Sequence, residues 1–465
     1  MGTLGRKAGD RMQAEVNSIM SKLALLGGSV SIRSDHEDMF HWPIVTRDDE
    51  EAVLGVLRRG AMSWTDVTVE FEKEFAAWQG TKHALAFSTG TAAVQSAMYG
   101  CQVGVGDEVI CPSMTYWASI LQCYSLGATP VFADVDPHTL CLDAEDIEHR
   151  ITDRTKAIVA VHALGYPCDM DPIVEIAHRH GLKVIEDVSH AHGGLYKGRK
   201  VGTIGDVGAM SVMSGKALAV GEGGMLATDN TEIYERSLAF GHYERYGSSI
   251  QTEYLKEGAG LPLGGYKYRM HQLSSAVGRV QLKHYDARMH EIQKAMNYFW
   301  DLIEGLPGIR AHRTPKGSDS TMGGWYDARG LYVSEELGGL SVSRFCEALQ
   351  AEGARMCVPG AYLALHLHPL FNTYDVYGHG RPTRIANSKR DLRQGAGSLP
   401  VSEDVGRRTF AVPWFKHCRP DTIAEYADAF SKVIEHYQDL LAEDPGNPER
   451  LGNWQLHRTR QGATA

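Results

Sequence analysis

Short apolar runs alternate with amphipathic stretches between about residues 84 and 230 of this 465-residue chain. Several of these runs are apolar at every position, which is typical of strands that helices cover on both faces. Strands that alternate with helices form a mainly parallel sheet, so we predict a three-layer α/β domain. The predicted strands are Ala84–Phe87, Glu108–Cys111, Thr129–Val135, Ala157–Val161, Lys183–Glu186, Val207–Met213 and Gly224–Thr228.

A second, smaller domain is expected because a chain of this length exceeds what one compact core supports. A helical stretch over about His271–Glu304 would link the two domains. Beyond it, Gly and Pro breaks separate two short strands, Gly330–Val333 and Arg355–Val358, from an amphipathic helix over about Asp421–Leu441. We therefore divide the chain into an N-terminal extension (1–40), a large domain (41–300), a small α+β domain (301–442) and a flexible tail (443–465).

The charge and the cysteine pattern exclude several classes of partner. A formal net charge of -10 with no dense block of Lys and Arg would repel a phosphate backbone, so we expect no nucleic acid. The eight cysteines are scattered without a C-x-x-C pair, which is typical of reduced residues in a cytoplasmic protein. No apolar run is long enough to cross a bilayer, so we expect no membrane association. The apolar positions of the first 35 residues fit a helix that packs on the body or on a second subunit.

One lysine stands between a predicted strand and a glycine-rich turn, in the segment Ser211-Val-Met-Ser-Gly-Lys216-Ala-Leu-Ala-Val-Gly-Glu-Gly-Gly224. A lysine that attacks a carbonyl must lose its proton and lie beside backbone that leaves room for a bulky cofactor. The alternative is a solvated loop lysine. A P-loop is excluded because Met210 and Ala217 occupy positions that need Gly and Ser or Thr. A dinucleotide fingerprint is excluded because Leu226 replaces its third glycine.

A carboxylate and a histidine follow the predicted strand Lys183–Glu186, in the segment Asp187-Val-Ser-His190. Side chains at the carboxyl ends of parallel strands face the crevice where open α/β sheets bind ligands. Asp187 could pair with the ring nitrogen of a pyridine cofactor and keep it protonated, and His190 could bond a ring oxygen or lie against the ring. The alternative is an Asp that caps a turn, with a surface His.

Two further clusters also follow predicted strands. The segment Phe87-Ser-Thr-Gly90-Thr91-Ala-Ala opens an apolar helix, and small residues there expose backbone N–H groups to an anion such as phosphate. After the next strand come Tyr116 and Trp117, either of which could stack on a flat ring. An ordinary helix cap and a core aromatic are the alternatives for each cluster taken alone.

Taken together, the four clusters predict a pyridoxal 5'-phosphate (PLP) site. They supply a phosphate cradle, a stacking aromatic, a partner for the pyridine nitrogen and a lysine that forms a Schiff base. Each cluster follows a strand of the same predicted sheet, so all four should meet at one edge.

Several segments resemble the DegT/StrS family of sugar aminotransferases, over about residues 43–437. They are Ser88-Thr-Gly-Thr-Ala-Ala, Gly106-Asp-Glu-Val-Ile-Cys-Pro-Ser-Met-Thr, Val161-His-Ala-Leu-Gly with Asp169-Met-Asp, Glu186-Asp-Val-Ser-His-Ala-His-Gly, Gly221-Glu-Gly-Gly and Gly265-Tyr-Lys-Tyr-Arg-Met. The resemblance implies PLP-dependent transferase fold type I and a homodimer with its active sites at the subunit interface. It also implies amination of a keto-sugar or a cyclitol ketone, with glutamate or glutamine as the amino donor.

The resemblance also implies roles for individual residues. Lys216 would form the Schiff base, Asp187 would bind the ring nitrogen, His190 would lie by the ring oxygen and Tyr116 on the ring face, with Gly90, Thr91 and Ser211 at the phosphate. Two positions depart from the family pattern. Lys267 stands where an Asn often reaches across the dimer to the phosphate, and we predict that the lysine supplies charge there, the alternative being a surface residue. Val212 replaces an aromatic residue.

Several alternatives remain open at this stage. A dehydratase or deoxygenase branch of the family is one rival, but its members have histidine at the lysine position, and here Lys216 is present. A PLP-binding regulatory protein without turnover and an enzyme that acts on an amino-hydroxybenzoate precursor are the other candidates. His366 and His368 stand two residues apart without a third ligand nearby, so we predict loop histidines, near substrate hydroxyls, and no metal.

Overall fold

A central sheet dominates the computed structural model, which describes residues 22–33, 37–247 and 249–454. Its strands begin and end close to the predicted positions, and a separate hairpin lies between the fifth strand and the next one in the sheet. The strands of this part of the chain are β1 (His83–Phe87), β2 (Glu108–Pro112), β3 (Thr129–Ala133), β4 (Thr155–Val161), β5 (Lys183–Asp187), the hairpin strands β6 (Leu195–Tyr196) and β7 (Arg199–Lys200), β8 (Val207–Ser211) and β9 (Gly224–Thr228).

The seven strands of this sheet lie in the order β1-β9-β8-β5-β4-β2-β3. The pairs from β8 to β3 are parallel, whereas β9 runs antiparallel to both of its neighbours, β1 and β8. Gly224 is opposite Phe87 on one side and Ser211 on the other. The prediction of a mainly parallel sheet is therefore confirmed, and β1 is joined to the rest of the sheet through β9.

Helices cover both faces of the sheet, because alternate residues of each strand point to opposite sides. Ile158 of β4 packs in one hydrophobic core, and its neighbours Ala157 and Val159 pack in the other. The helices of this region are α1 (Arg47–Arg58), α2 (Asp66–Gln79), α3 (Gly90–Gly100), α4 (Cys123–Leu126), α5 (Ala144–Arg150), α6 (Met170–His180), α7 (Thr231–Gly241), α8 (Glu253–Lys256) and α9 (Gln272–Leu302).

The long helix α9 connects this part of the chain to a small antiparallel sheet, as its predicted extent suggested. It packs against α1 and α2 at one end and against a helix of the C-terminal region at the other. That region contains β10 (Ile309–Ala311), β11 (Arg329–Tyr332), α10 (Val342–Ala351), α11 (Pro369–Asn372), α12 (Pro400–Arg408), β12 (Thr409–Ala411), α13 (Pro420–Glu435) and α14 (Gln438–Leu441). Its strands pair in the order β10-β11-β12.

Short 3-10 turns complete the described secondary structure. They are Ala24–Leu26, Glu37–Phe40, Trp117–Ser119, Ala163–Gly165, Tyr243–Arg245, Ser334–Leu337, Leu365–Leu367 and Thr383–Ile385. In residues 22–33, 37–247 and 249–454, no helix combines the length and the apolar content that a bilayer crossing needs.

Two expectations for the C-terminal region differ from the structure. The predicted strand Arg355–Val358 is a turn, in which the Cys357 N–H donates to the Ala354 carbonyl, and β12 pairs with β11 instead. The exposed side chains of Met356 and Val358 face no layer that would hold a strand there. The predicted helix Asp421–Leu441 ends at Glu435 and resumes as α14.

The expected flexible tail is not seen over its first residues. Asp444 accepts hydrogen bonds from the backbone and the hydroxyl of Ser341, and Leu451 is buried. Residues 455–465 and 1–21, with the helix expected near the N-terminus, lie outside the described residues. The proposed division into domains near residue 300 stays a prediction.

Candidate active site

A cavity of about 250 Å³ opens at the carboxyl ends of β5 and β8, beside the first turn of α3. Parallel strands end at the same edge of a sheet, which is why side chains far apart in sequence meet here. The cavity brings together all but one of the predicted site residues: Gly90, Thr91, Tyr116, Asp187, His190, Ser211 and Lys216.

The first turn of α3 forms a cup for an anion. The Thr89 hydroxyl caps the helix by accepting from the Ala92 N–H at 3.0 Å. The amides of Gly90 and Thr91 precede the first intrahelical bonds, so they are available to a ligand and carry the positive end of the helix dipole. A Cβ at Gly90 would lie 2.4 Å from the Ser211 Cβ, so only glycine lets the helix approach the end of β8 this closely.

Two hydroxyls and an amide orient the Asp187 carboxylate. The Ser119 Oγ donates to Asp187 Oδ2 at 2.7 Å, and the Ser189 N–H donates to Oδ1 at 3.0 Å. Thr115 Oγ1 lies 3.0 Å from Ser119 Oγ. Since Ser119 gives its one proton to the carboxylate, Thr115 must donate to Ser119. The result is a directed chain from Thr115 through Ser119 to Asp187.

The Lys216 amine is buried in the cavity and its side chain is 8% exposed. Burial lowers the pKa of Lys216 to about 8, and the nearby carboxylates of Asp187 and Asp327 partly oppose this shift. Its Nζ lies 3.8 Å from the centre of the Tyr326 ring, and the Trp42 indole N–H donates to its carbonyl at 2.8 Å. An amine with this pKa is partly neutral near pH 7 and can act as a nucleophile.

His190 is held in one tautomer. The Leu164 N–H donates to His190 Nδ1 at 3.3 Å, so Nε2 carries the proton and donates to the Tyr362 hydroxyl at 3.4 Å. The two rings are nearly parallel, with 5° between their planes. Leu164 itself has φ of 54°, a left-handed conformation that is costly for a branched side chain. Such strain is typical of a position where the surrounding structure fixes a functional contact.

Tyr116 lies on the cavity lining next to Trp117, with 4.8 Å between the ring centres. Burial raises the pKa of Tyr116, so its hydroxyl stays protonated at neutral pH. Its ring lies at the cavity, and its predicted stacking on a cofactor ring stays a prediction.

The sequence did not identify several residues that line the cavity. Ser119 could have been found, because it follows Tyr116 closely in the same loop. Tyr326 and Tyr362 carried no such signal, because they come from segments after α9 that the sequence places only loosely. The additional lining residues are Val94, Ala118, Ser119, Ser189, Met213, Glu222, Tyr326 and Tyr362, together with the capping Thr89.

Lys267 does not reach the cavity of its own chain. Its amine pairs with Glu244 at 2.6 Å, and its side chain is 53% exposed. Lys267 also bridges His242 as an isolated strand pair. Its predicted contact with the phosphate therefore depends on a second copy of the chain and stays a prediction.

His366 and His368 do not form a metal site. His366 is fully buried, with Nδ1 bound to the Ser113 hydroxyl at 2.7 Å and Nε2 to Glu403 at 3.0 Å. His368 Nδ1 accepts from the Leu370 N–H. Over the described part of the chain, no group of three His, Cys, Asp or Glu side chains could hold a metal ion.

Comparisons with known proteins agree with the fold. A sequence model of the DegT/DnrJ/EryC1/StrS aminotransferase family matches residues 43–431. The spore coat polysaccharide biosynthesis protein SpsC of Bacillus subtilis (strain 168) is 31% identical over 410 residues, which cover 87% of this chain and 98% of SpsC. The L-glutamine:2-deoxy-scyllo-inosose aminotransferase of Streptomyces kanamyceticus is 34% identical over 421 residues, which cover 86% of this chain and 95% of that protein.

Solved structures of similar proteins also superpose on this chain along most of its length. The aminotransferase from Psychrobacter cryohalolentis superposes with a TM-score of 0.72 at 30% identity, covering 86% of this chain and 99% of that one. DesV of S. venezuelae, solved in complex with a ketimine intermediate, superposes with a TM-score of 0.67 at 30% identity, covering 84% and 95% of the two chains.

Proposed function

Because this chain belongs to the DegT/DnrJ/EryC1/StrS aminotransferase family and is a PLP-dependent aminotransferase, we propose that it aminates the ketone of a sugar or a cyclitol, with Lys216 as the residue that binds PLP covalently. The amino donor in this proposal is glutamate or glutamine. One observation carries the assignment of Lys216: its buried amine shares a single cavity with the Asp187 carboxylate and the first turn of α3.

The residues of the cavity fit PLP group by group. The amides of Gly90 and Thr91 and the Ser211 hydroxyl suit a phosphate, because they combine N–H donors with a helix dipole. Asp187 suits the ring nitrogen, and Tyr116 suits the ring face. When bound, PLP supplies the electron sink that lets a C–H bond next to the substrate nitrogen break.

Lys216 has two tasks in this proposal. With its pKa near 8, a useful fraction of the amine is neutral and able to bind the cofactor's carbonyl carbon. When it is not attached to the cofactor, the Lys216 Nζ would act as the general base that takes the α-proton of the donor. Burial favours both tasks, because a fully solvated lysine would stay protonated at neutral pH.

Hydrogen bonds from neighbouring residues fix the orientation of Asp187 and His190. The bonds from Ser119 and Ser189 keep the Asp187 carboxylate in one orientation. A fixed negative charge beside a pyridine nitrogen favours its protonated form. His190 gives its one ring N–H to the Tyr362 hydroxyl, and this bond holds the ring at the cavity wall, beside the position proposed for the cofactor's ring oxygen.

The acceptor class is supported by the names of similar proteins. A GDP-perosamine synthase of Caulobacter vibrioides is 41% identical over 231 residues, and the inosose aminotransferase described above is similar along most of the chain. That relative is named for L-glutamine, which favours glutamine as the donor. We also propose a homodimer, in which Lys267 of one copy approaches the phosphate site of the other.

A donor and acceptor screen tests the proposal. The purified protein is loaded with PLP and incubated with glutamate or glutamine and a panel of keto-sugars and inososes. Mass spectrometry should detect an aminated product from at least one pair. Borohydride reduction followed by peptide mapping should place the cofactor on Lys216. A protein that binds PLP but aminates none of the panel, or that carries the label on another lysine, contradicts the proposal.

A further inference from the structure

The C-terminal end of the described chain lies beyond the range that the family model matches, yet it is anchored to the molecule. The match ends at residue 431, and the structure continues to Trp454. Asp444 accepts two hydrogen bonds from Ser341, and Asn447 Oδ1 accepts two from Ser343. Both contacts fix the segment at the N-terminal end of α10 (Val342–Ala351).

From this anchor the chain runs along a segment that faces the active site. We call residues 451–454 the C-terminal strap. The Asn453 N–H donates to the Ala361 carbonyl at 3.1 Å, and the Leu363 N–H donates to the Asn453 carbonyl at 3.2 Å. These two bonds form a parallel bridge between Asn453 and Tyr362. The strap therefore fixes the backbone on both sides of Tyr362.

Close backbone packing makes this contact specific. A Cβ at Gly452 would lie 2.4 Å from the Ala361 carbonyl oxygen, and a Cβ at Gly360 would lie 2.8 Å from the Gly452 nitrogen. Further along, the Trp454 ring lies 4.2 Å from the His368 ring, and its indole N–H donates to the Ala364 carbonyl. The strap thus touches the segment before, at and after Tyr362.

Tyr362 connects the C-terminal strap to the cavity. Its side chain is buried, it lines the cavity, and its hydroxyl accepts from His190 Nε2. His190 is the residue that we assign to the ring oxygen of the cofactor. A shift of the Tyr362 backbone would therefore move the hydroxyl away from the His190 ring.

We propose that the C-terminal strap is a positioning element of the active site, which acts through the contact of Tyr362 with His190. This inference rests on the proposed function, because it assumes that His190 contacts the bound cofactor. Small errors of position in an active site can lower rates by up to about 100-fold, so a contact made outside the cavity can still be measured in turnover.

A matched pair of alanine substitutions tests the strap. Gly452→Ala adds a Cβ that meets the Ala361 carbonyl at a φ of 104°, whereas Gly446→Ala adds one in open space at a φ of 77°. Gly446→Ala thus controls for a side chain at a positive φ, and the larger effect expected for Gly452→Ala combines the contact with Ala361 and the larger φ. We expect Gly452→Ala to lower kcat by about tenfold and to shift the absorption maximum of the bound cofactor or its pH titration, with the melting temperature as a control for folding. Gly446→Ala should keep both kcat and the absorption maximum near those of the parent protein.

A double-mutant cycle then separates positioning from general support. Tyr362→Phe removes the hydroxyl and should lower kcat between two- and about tenfold, as expected for one hydrogen bond. If the strap acts through Tyr362, the double variant Gly452→Ala/Tyr362→Phe should be no slower than the slower single variant. Multiplying effects, or an unchanged Gly452→Ala enzyme, would overturn the proposal.

Trp454→Ala keeps the inference testable if Gly452→Ala folds poorly. It removes a ring contact without adding an atom, so we expect a loss of a few fold that is again not additive with Tyr362→Phe. Additive losses would overturn the proposal here as well. The activity of the unsubstituted parent protein distinguishes failure of the proposed function from failure of the proposed role of the strap. A parent that converts no donor contradicts the proposed function, whereas an active parent with indifferent strap variants contradicts only the role of the strap.

Discussion

The cavity has two sides that are built in different ways. Its floor consists of Thr89–Thr91, Asp187, Ser211 and Lys216, each of which ends or follows a strand of the central sheet. Its wall consists of Tyr326 and Tyr362, which come from segments after α9 and are placed by contacts with distant parts of the chain. The difference suggests that the floor holds the cofactor, whereas the wall adjusts the groups around it. Substitutions in the floor should therefore cost more than substitutions in the wall.

Replacing the lysine should have the largest effect. Lys216→Ala removes the covalent attachment and the base, so turnover should fall by at least about three orders of magnitude, as for other residues of covalent catalysis. Steady-state assays measure the loss, and borohydride reduction should no longer attach PLP to the protein. Lys416 is a matched control, because it is also buried but does not line the cavity. An attached label in Lys216→Ala that disappears on replacing Lys416 would show that the wrong lysine was assigned.

Replacing the carboxylate should have the next largest effect. Asp187→Ala removes the charge that favours a protonated ring nitrogen, and we expect a loss of two to three orders of magnitude in kcat, similar to the loss of one fixed electrostatic contact at a reacting group. Asp187→Asn keeps the size of the side chain and loses the charge. If Asp187→Asn retains more than about a tenth of the activity, orientation matters more than charge at this position.

Filling the anion cup should weaken cofactor binding without touching the chemistry. A Cβ at Gly90 meets the Ser211 backbone, so Gly90→Ala must displace the first turn of α3 and its amides. We expect the Kd for PLP to rise by about 100-fold, measured by fluorescence titration, while kcat at saturating PLP changes much less. Gly104→Ala is the control, since its Cβ would meet nothing within 4 Å. An unchanged Kd would show that the first turn of α3 does not contribute to PLP binding.

Replacing Tyr326 in the wall should change how the rate of PLP binding depends on pH. The rate at which the PLP-free protein binds PLP should rise about tenfold per pH unit and level off above about pH 8, where the Lys216 amine is neutral. The Tyr326 ring face favours the charged amine, a contribution of about 0.5 to 2 kcal/mol. Tyr326→Leu should therefore lower the pKa of Lys216 further and move the plateau down by about 0.4 to 1.5 pH units.

Tyr326→Phe keeps the ring and should leave the plateau in place. A plateau that moves equally in both variants would assign the effect to the hydroxyl, and one that moves upward would contradict the contact between the ring and the amine. The measurement thus compares the two sides of the cavity directly, because it follows the pKa of Lys216 in the floor while Tyr326 in the wall is replaced.

The floor could be predicted from the sequence because its residues lie directly after apolar strands. The carboxyl ends of those strands share one edge, so local patterns were enough to place Asp187 and Lys216 together, whereas Ser211 was assigned only through the resemblance to the family. Tyr326 could not be predicted, because it lies between Trp325 and Asp327, whose φ values of 54° and 55° no sequence pattern signals. The Lys267 assignment stays a prediction for a different reason, because a single chain cannot reach across to a partner.

The C-terminal region shows the same limit. A short apolar run at Arg355–Val358 suggested a strand, but the chain turns there and contacts β12 only from Val358 onward, through a bridge between Pro359 and Phe410. The tail was expected to be mobile because it has few apolar residues. Its anchors are hydrogen bonds from Ser341 and Ser343 and the burial of Leu451, which depend on distant parts of the chain.

The position of β9 has a consequence for how the protein reaches its native state. Since β1 joins the rest of the sheet through β9, we expect the first turn of α3, which follows β1, to reach its final place beside the end of β5 that carries Asp187 only once β9 lies between β1 and β8. Vitamin B6 should therefore bind with full strength only to chains whose sheet is complete. Adding it to a refolding reaction should stabilise the finished molecule and leave the early steps of folding unchanged.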